Sequence, residues 1–465
     1  MAVRGGLMIE VLNLVGGRFI KTEETFEDIS PLDDRIIASI PRTKSVEDAV
    51  IAAEKALPVW SNLTIHERCT WLERIADELE KEIEEVARLE SLDTGKPHEV
   101  ALNVDANRSV YNFRFFAEFG KEIEEKRFEM SDATNLVVRK PVGVVGLISP
   151  WNLPLYLLSW KIAPALLMGN TVIAKPSELT PLTAFFLAKI SIQIGLPDGV
   201  LNIVHGYGPE VGQAIVEHPK IKAISFTGGT ETGKIVAATA APMFKKLSLE
   251  LGGKNAAIVL DDADLALAVP GVVRSSFLNS GQICLCGSRV LVHDSIYEQF
   301  MNEYLRELKD FEIGPVINKQ HRDKVHSYIK LAEEEGGEIL HGGNIIERDG
   351  AWIEPTVITN ISHKSRTATE EIFGPVVTIH RFKTDDEAIE IANCTEYGLS
   401  GSVWSKSRGF EVAKQIESGV IWVNTWLHRD LRTPFGGVKN SGIGREGGQW
   451  SVDFFSEFSN ICVKN

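Results

Sequence analysis

Cysteine is scarce and odd in number: Cys69, Cys284, Cys286, Cys394 and Cys462 are the only five in 465 residues. So sparse a set, with no CxxC spacing, builds neither a disulfide framework nor a metal site, and no metal is expected. A reducing, cytoplasmic setting is the natural expectation. Positive charge is also in short supply, with 49 lysines and arginines against 64 aspartates and glutamates. A formal net charge of −15 argues against nucleic acid or an anionic membrane as the main partner. The opening MAVRGGLMIEVLNLVGG lacks the long apolar run and cleavage site of a signal peptide, so none is expected. Long apolar runs are missing elsewhere too. The most apolar region, 144–174, is interrupted by Pro150, Asn152, Pro154, Lys161 and Pro164, which marks it as core and not as a membrane span. There is no internal repeat, low-complexity tract or long disordered linker.

What is present is enough chain for two or three domains with substantial cores. Apolar residues recur at helical spacing from Ser45 to about Trp60 and from Ile65 to Leu92. A third helix is predicted from about Glu99 to Phe119, with a stripe of Ala101, Val104, Arg108, Tyr111 and Phe115 in which Arg108 is out of place. Residues 127–141 read as an acidic turn and a strand. From Val144 onward, short β-branched runs alternate with helices. The strands are expected at 144–148, 171–175, 201–204, 223–226 and 247–251, with helices beginning near Pro181, Pro209 and Glu231. Thr180 and Pro181 suit an N-cap and first turn, and Gly195 suits a C-cap. Such alternation means βαβ units and a parallel sheet. A second alternating series, from Asn255 to about Asn424, predicts a second α/β unit. The tail from Val452 to Val463 reads as a strand that pairs outside its own domain.

Ligands of open parallel sheets sit at the carboxyl ends of the strands, and the unusual residues of this chain fall there. The strand 171–175 ends in Lys175, followed by Pro176, Ser177 and Glu178. A lysine and a carboxylate three apart can hold a ribose diol, or simply form a surface ion pair. The strand 223–226 runs into TGGTETG, whose glycines free backbone N–H groups for a pyrophosphate; the spacing is not GxGxxG, and an ordinary turn explains it nearly as well. Glu250 precedes Gly252 and Gly253 and is either an ordinary strand-end glutamate or a general base whose pKa is raised by an apolar setting. Asn152, in ISPWNLPL, is a rigidly framed amide that suits an oxyanion or caps its own loop. In FLNSGQICLCGSR, small and polar residues flank Cys284, as a thiol that meets a ligand requires, although free cysteine is usually a small buried hydrophobe.

Taken together, ISPWNLPL, KPSE (175–178), FTGGTETG (226–233), LELGGKN (249–255), GQIC (281–284), EIFGP (371–375) and PFGG (434–437) resemble the aldehyde dehydrogenase superfamily, in its order and over nearly the whole chain. The resemblance implies a Rossmann-like cofactor domain (1–126 and 142–251), an α/β catalytic domain (252–440) and a small β oligomerisation element (127–141 and 451–465). It makes Cys284 the nucleophile, Glu250 the general base and Asn152 the oxyanion donor. It places Ile148, Trp151, Lys175, Ser177, Glu178, Gly208, Gly212, Phe226, Gly228, Gly229, Thr232, Leu251, Glu371 and Phe373 at dinucleotide-contacting positions. Glu178 favours NAD over NADP, because a 2′-phosphate would face its charge. Glu250 implies a free acid as product, since members that acylate coenzyme A tend to lack it. The implied partners are a small aldehyde and further copies of the chain, as a homodimer or homotetramer. The chain departs from the family in a short loop after Leu305 and in His321, which stands where many relatives carry glutamine.

Arg108 and Arg429 map to the family's substrate tunnel, where apolar or aromatic residues are common, and Phe435 lies beside them. Two guanidinium groups in one tunnel are costly without an anion between them, and arginine matches a carboxylate by bidentate pairing. NRSVYNFRFF, ICLCGSR and RDLRTPFGG look like the branch acting on 2-aminomuconate and 2-hydroxymuconate semialdehydes, which carry a carboxylate distal to the aldehyde. The competing arrangement pairs Arg108 with Asp105 and Arg429 with Asp430 and leaves a broad-range enzyme for apolar or aromatic aldehydes. A reading of another class is a non-catalytic structural or binding relative. Cys286 is read as packing, because a disulfide between cysteines two apart would be strained.

Overall fold

The computed structural model describes residues 8–464. Its largest sheet has eight strands, ordered Gly442–Ile443, Lys246–Glu250, Ile221–Thr227, Val144–Ile148, Thr171–Lys175, Leu201–Ile203, Asn13–Val15 and Arg18–Ile20. The five strands from Lys246–Glu250 to Leu201–Ile203 are mutually parallel, as the β-branched runs predicted. The chain leaves Val144–Ile148 toward one edge through Thr171–Lys175 and Leu201–Ile203. It returns on the other side through Ile221–Thr227 and Lys246–Glu250. The switch point is therefore between Val144–Ile148 and Ile221–Thr227, and a crevice opens there at the carboxyl ends.

The second series is a seven-stranded sheet, ordered Glu338–His341, Thr356–Thr359, Val376–Phe382, Arg289–His293, Ala256–Val259, Ser400–Trp404 and Val420–Val423. All its pairs are parallel except the first. A three-stranded sheet pairs Ala133–Pro141 with both Lys126–Glu129 and the tail strand Ser456–Lys464.

Several boundaries differ from expectation. The helix expected from Ile65 to Leu92 is two, Ile65–Lys81 and Ile83–Thr94, broken at Glu82. Thr180 caps nothing: the helix is Leu182–Gln193, and the buried Thr180 hydroxyl has no partner among the described residues. Gly195 does end that helix, at φ +71°. Near Pro209 a π turn, Gly208–Gly212, precedes a single α-helical stretch, Gln213–Glu217. The first part of the tail is helical, Gly448–Phe454, and only then extended.

The third helix differs most. It opens with His98–Val100, passes through a π turn at Ala101–Ala106 and continues as Asn107–Lys121. The extra residue of a π turn rotates the following surface by about 100°. The buried residues of Asn107–Lys121 are Ser109, Val110, Asn112, Phe113, Phe115, Phe116, Ala117 and Gly120, packed on the helices Ile65–Lys81 and Pro154–Leu167. Of the expected stripe, Ala101 and Phe115 are buried, Val104 and Arg108 are half-buried and only Tyr111 is exposed.

Candidate active site

The loop that carries Cys284 is shaped by three successive left-handed residues, Asn279 (φ +53°), Ser280 (φ +57°) and Gly281 (φ +70°). Non-glycine residues in that region store strain that the surroundings must hold. Here Gln282 holds it, accepting from the Ile317 N–H at 2.9 Å and donating to the Asn279 carbonyl at 3.0 Å. Gly281 is required twice over, since a Cβ there would lie 2.2 Å from the Gly374 carbonyl oxygen. GQIC and EIFGP are thereby pressed together. The Cys284 carbonyl accepts from Asn255 Nδ2 at 2.7 Å, so LGGKN braces the same loop. Cys284 itself is half-buried, and its thiol is pushed up by burial and then by the charges of Glu250 and Glu371. Cys286 is buried in the apolar core beneath, unbridged, as read.

Asn152 follows the strand Val144–Ile148 at the switch point. Its Nδ2 donates to the Gln282 carbonyl at 2.9 Å, across the crevice. Trp151, Asn152, Gly228, Leu251, Cys284, His321, Glu371 and Phe373 line one cavity of about 270 Å³. Glu371 Oε1 accepts from the Gly253 N–H at 2.9 Å. His321 Nε2 lies 2.7 Å from the Phe373 carbonyl, and burial draws its pKa down to about 4, so the ring is neutral and donates.

Glu250 ends its strand with both carboxylate oxygens buried and unpartnered among the described residues. Burial, and after it the Glu446 charge, raises its pKa well above the usual carboxylate range; Lys161 and Arg429 oppose that shift. Sequence reasoning missed these neighbours as site residues. Lys161 Nζ donates to Glu446 Oε1 at 2.8 Å and to Ser225 Oγ at 2.9 Å, beneath the strand ends. A lone lysine inside an apolar run was the available signal for Lys161; nothing in the sequence marked Glu446. Gly436 of PFGG packs on Glu250, where a Cβ would lie 2.6 Å from Oε1.

The remaining sequence-selected residues lie along the carboxyl edge of the eight-stranded sheet. Ile148, Lys175 and Phe226 are at or next to their strand ends and buried. Lys175 Nζ donates to Glu178 Oε2 at 3.0 Å, and Ser177 Oγ accepts from the Leu179 N–H at 3.2 Å. Gly212 faces the Lys175 side chain, while Gly208 opens onto free space. A side chain at Gly228 would strike the Phe226 ring. Gly229 also faces open space and begins the helix Thr230–Ala240 with no side-chain cap, leaving the first-turn N–H groups, up to Thr232, unclaimed by a cap. Lys175 and Glu178 do not line the Cys284 cavity; one extended ligand along the edge would reach both.

A second cavity, of about 310 Å³, is lined by Arg108, Arg274 and Arg429 with Tyr111 and Tyr156, and no acidic residue lines it. Arg108 Nε and Nη2 and Arg429 Nη2 are buried without a partner among the described residues. Burial lowers the Arg108 pKa, and the adjacent Arg429 charge lowers it further. The Arg429 guanidinium lies 4.0 Å from the Phe435 ring centroid, and Nη1 donates to the Tyr156 hydroxyl at 3.4 Å. Neither acid pairing of the competing arrangement occurs. Asp105 binds Lys96 at 2.9 Å, and Asp430 binds Arg432. Arg274 was not foreseen, being the one exposed cation at the cavity's rim.

The fold and the site together define an α/β enzyme in which two largely parallel sheets bring the Cys284 thiol, the Asn152 amide and the Glu371 carboxylate to one cavity, with Glu250 outside its lining but close enough for its charge to act on the thiol. The chain belongs to the aldehyde dehydrogenase family, whose model matches residues 19–461. It is 45% identical to a 2-aminomuconic semialdehyde dehydrogenase of Mus musculus, over 98% of each chain. It is 43% identical to a 2-hydroxymuconic semialdehyde dehydrogenase of Pseudomonas sp. (strain CF600), covering 98% of this chain and all of that one. An aldehyde dehydrogenase of Bacillus cereus, solved as an NAD+ complex, superposes with a TM-score of 0.96 at 37% identity, over 98% of this chain and 96% of that one.

Proposed function

We propose that the protein oxidises a carboxylate-bearing semialdehyde, of the 2-aminomuconate or 2-hydroxymuconate type, to the free acid with NAD. The observation that carries the substrate reading is that Arg108 and Arg429 share one cavity and have buried guanidinium nitrogens with no partner among the described residues. They suit a distal carboxylate, which would satisfy charges that the protein leaves open. The relatives named for muconic semialdehydes support the same choice. The residues along the sheet edge fit a dinucleotide: the Lys175–Glu178 pair for a ribose, the uncapped start of Thr230–Ala240 for the pyrophosphate, and Glu371 and Phe373 beside the thiol.

In this reading, residues 1–126 and 142–251 carry the cofactor and 252–440 the chemistry. Cys284 gives up its thiol proton to solvent, and the thiolate attacks the aldehyde carbon, since the thiolate and not the thiol is the nucleophile. The Asn152 amide and the Cys284 N–H hold the oxyanion. NAD, when bound, supplies the acceptor for the hydride that leaves as the tetrahedral adduct collapses to a thioester. Glu250 takes a proton from water, which attacks the thioester carbon and frees the acid and Cys284. Aldehyde, NAD+ and water thus become acid, NADH and a proton. The protein works in the cytoplasm as a homodimer or homotetramer built through 127–141 and 451–465. The exposed Phe128, Met130, Phe458, Ile461 and Val463 of that sheet support the assembly.

The deciding experiment compares kcat/KM, by NADH absorbance, for a carboxylated semialdehyde and a neutral aldehyde of equal length. A strong preference for the acid is expected, and its absence would leave the broad-range reading in place.

A further inference from the structure

The Asn152 side-chain amide and the Asn152 backbone carbonyl are held by different acceptors and donors, linked through Asn279 Nδ2, which also donates to the Gln282 carbonyl at 3.4 Å. The carbonyl accepts from Lys96 Nζ at 3.0 Å and from Asn279 Nδ2 at 3.1 Å. Lys96 Nζ also donates to Asp105 Oδ2 at 2.9 Å. The two charged side chains are 1% and 0% exposed. Such a pair is poor evidence for stability, because apolar side chains of similar volume often serve as well. Its position is more telling. Lys96 follows Gly95 (φ +75°), which is wedged between Pro31 and Pro315. Asp105 points inward because it belongs to the π turn, which closes with the Asn107 N–H donating to the Leu102 carbonyl. Two rigid irregular segments therefore converge on one carbonyl oxygen.

We propose that Lys96, steadied by Asp105, is a positioning residue for the oxidation step, fixing the Asn152 backbone and hence the direction of its amide toward the oxyanion. The proposal rests on the role given to Asn152 above. It needs no contact between Lys96 and the substrate. Pinning at the carbonyl matters because the amide already spends one N–H on the Gln282 carbonyl, leaving a single hydrogen to aim. A shift of about 1 Å at such a donor is enough to cost about 100-fold in rate.

The test is a double-mutant cycle on the full-length enzyme, read as single-turnover NADH formation. The apolar replacement Lys96→Met/Asp105→Leu is made in the Asn152 and the Asn152→Ala backgrounds, with NAD affinity measured in each. The expected result is a loss of tenfold or more in the first background, less than twofold in the second, and unchanged NAD affinity. Equal losses in both backgrounds, or no loss in either, would overturn the proposal, because a merely structural role does not depend on Asn152. Should the apolar pair fail to fold, Asp105→Asn is read in the same cycle with the same criterion. If Asn152→Ala alone turns over as fast as the parent, it is the oxyanion assignment that fails first, and the proposal with it.

Discussion

Arg432, three residues beyond Arg429, takes the carboxylate that Arg429 could have had: its Nε lies 3.0 Å from Asp430 Oδ1. Lys96 does the same for Arg108 by holding Asp105. Arg108 and Arg429 are thereby left without an acid of their own among the described residues. A charged hydrogen-bonded pair is worth about 1.5–3 kcal/mol. Arg108→Ala or Arg429→Ala should therefore lower kcat/KM for a carboxylated semialdehyde about 10- to 100-fold and leave a neutral aldehyde of equal length nearly unchanged. Steady-state NADH assays with both substrates measure the ratio, and a constant ratio would count against the carboxylate site.

Glu250 has both oxygens buried and a pKa raised well above the usual range, chiefly by burial. Only its ionised form can take a proton from water, so hydrolysis of the thioester should quicken as pH rises. Glu250→Gln removes the base and leaves the steps before it. Rapid mixing with aldehyde and NAD should then show a burst of about one NADH per subunit followed by almost no turnover. Unimpaired steady-state turnover in the variant would sink the assignment.

These two sites were not equally legible beforehand. The parallel strands of the larger sheet could be read because buried parallel strands are near-continuous apolar runs, as in VVGLI and TVIAK. Their glycine-rich or proline-rich frames left Cys284, Glu250 and Asn152 open one by one, and only the resemblance carried by seven collinear motifs gave them roles. The π turn at Ala101–Ala106 was not, because helical periodicity cannot signal a one-residue insertion whose partner, Lys96, lies in an irregular segment. Arg108 accordingly looked like a polar intruder in an apolar stripe, of which Ala101 and Phe115 are buried and Tyr111 is exposed. The Lys161–Glu446 pair spans 285 residues; contacts that distant leave no local pattern, and only the isolated charge of Lys161 hinted at one.

Gly281 offers a test of the loop that presents the thiol. Alanine there would have to adopt φ +70° and place its Cβ 2.2 Å from the Gly374 carbonyl. The left-handed conformation alone costs about 1–2 kcal/mol. Gly281→Ala should therefore lower the midpoint of thermal unfolding and, by shifting EIFGP against GQIC, weaken NAD binding. Calorimetry and NAD titration check both, and a variant with parental stability and affinity would show that the loop has more freedom than this packing allows.

Glu90 makes stability depend on pH in a direction opposite to that of an ordinary paired carboxylate. Its Oε1 accepts from the Leu155 N–H at 2.9 Å and from the Thr183 hydroxyl at 3.2 Å, while Oε2 is buried without a partner among the described residues. Burial, reinforced by the Asp105 charge, raises its pKa from 4.5 to about 8. Below the unfolded value both states are protonated, and the neutral acid contributes fully to stability. As pH rises from about 4.5 toward 8, the unfolded chain gives up the proton and the folded one keeps it. Stability then falls by roughly 1 kcal/mol per pH unit, until Glu90 ionises in the folded state as well. Glu90→Gln keeps a neutral acceptor in place of Oε1 and cannot ionise. Urea unfolding at pH 5, 6.5 and 8 should show the variant losing less stability than the parent as pH rises, with the gap widening across that window. Parallel curves would mean that Glu90 enters the folded state already charged.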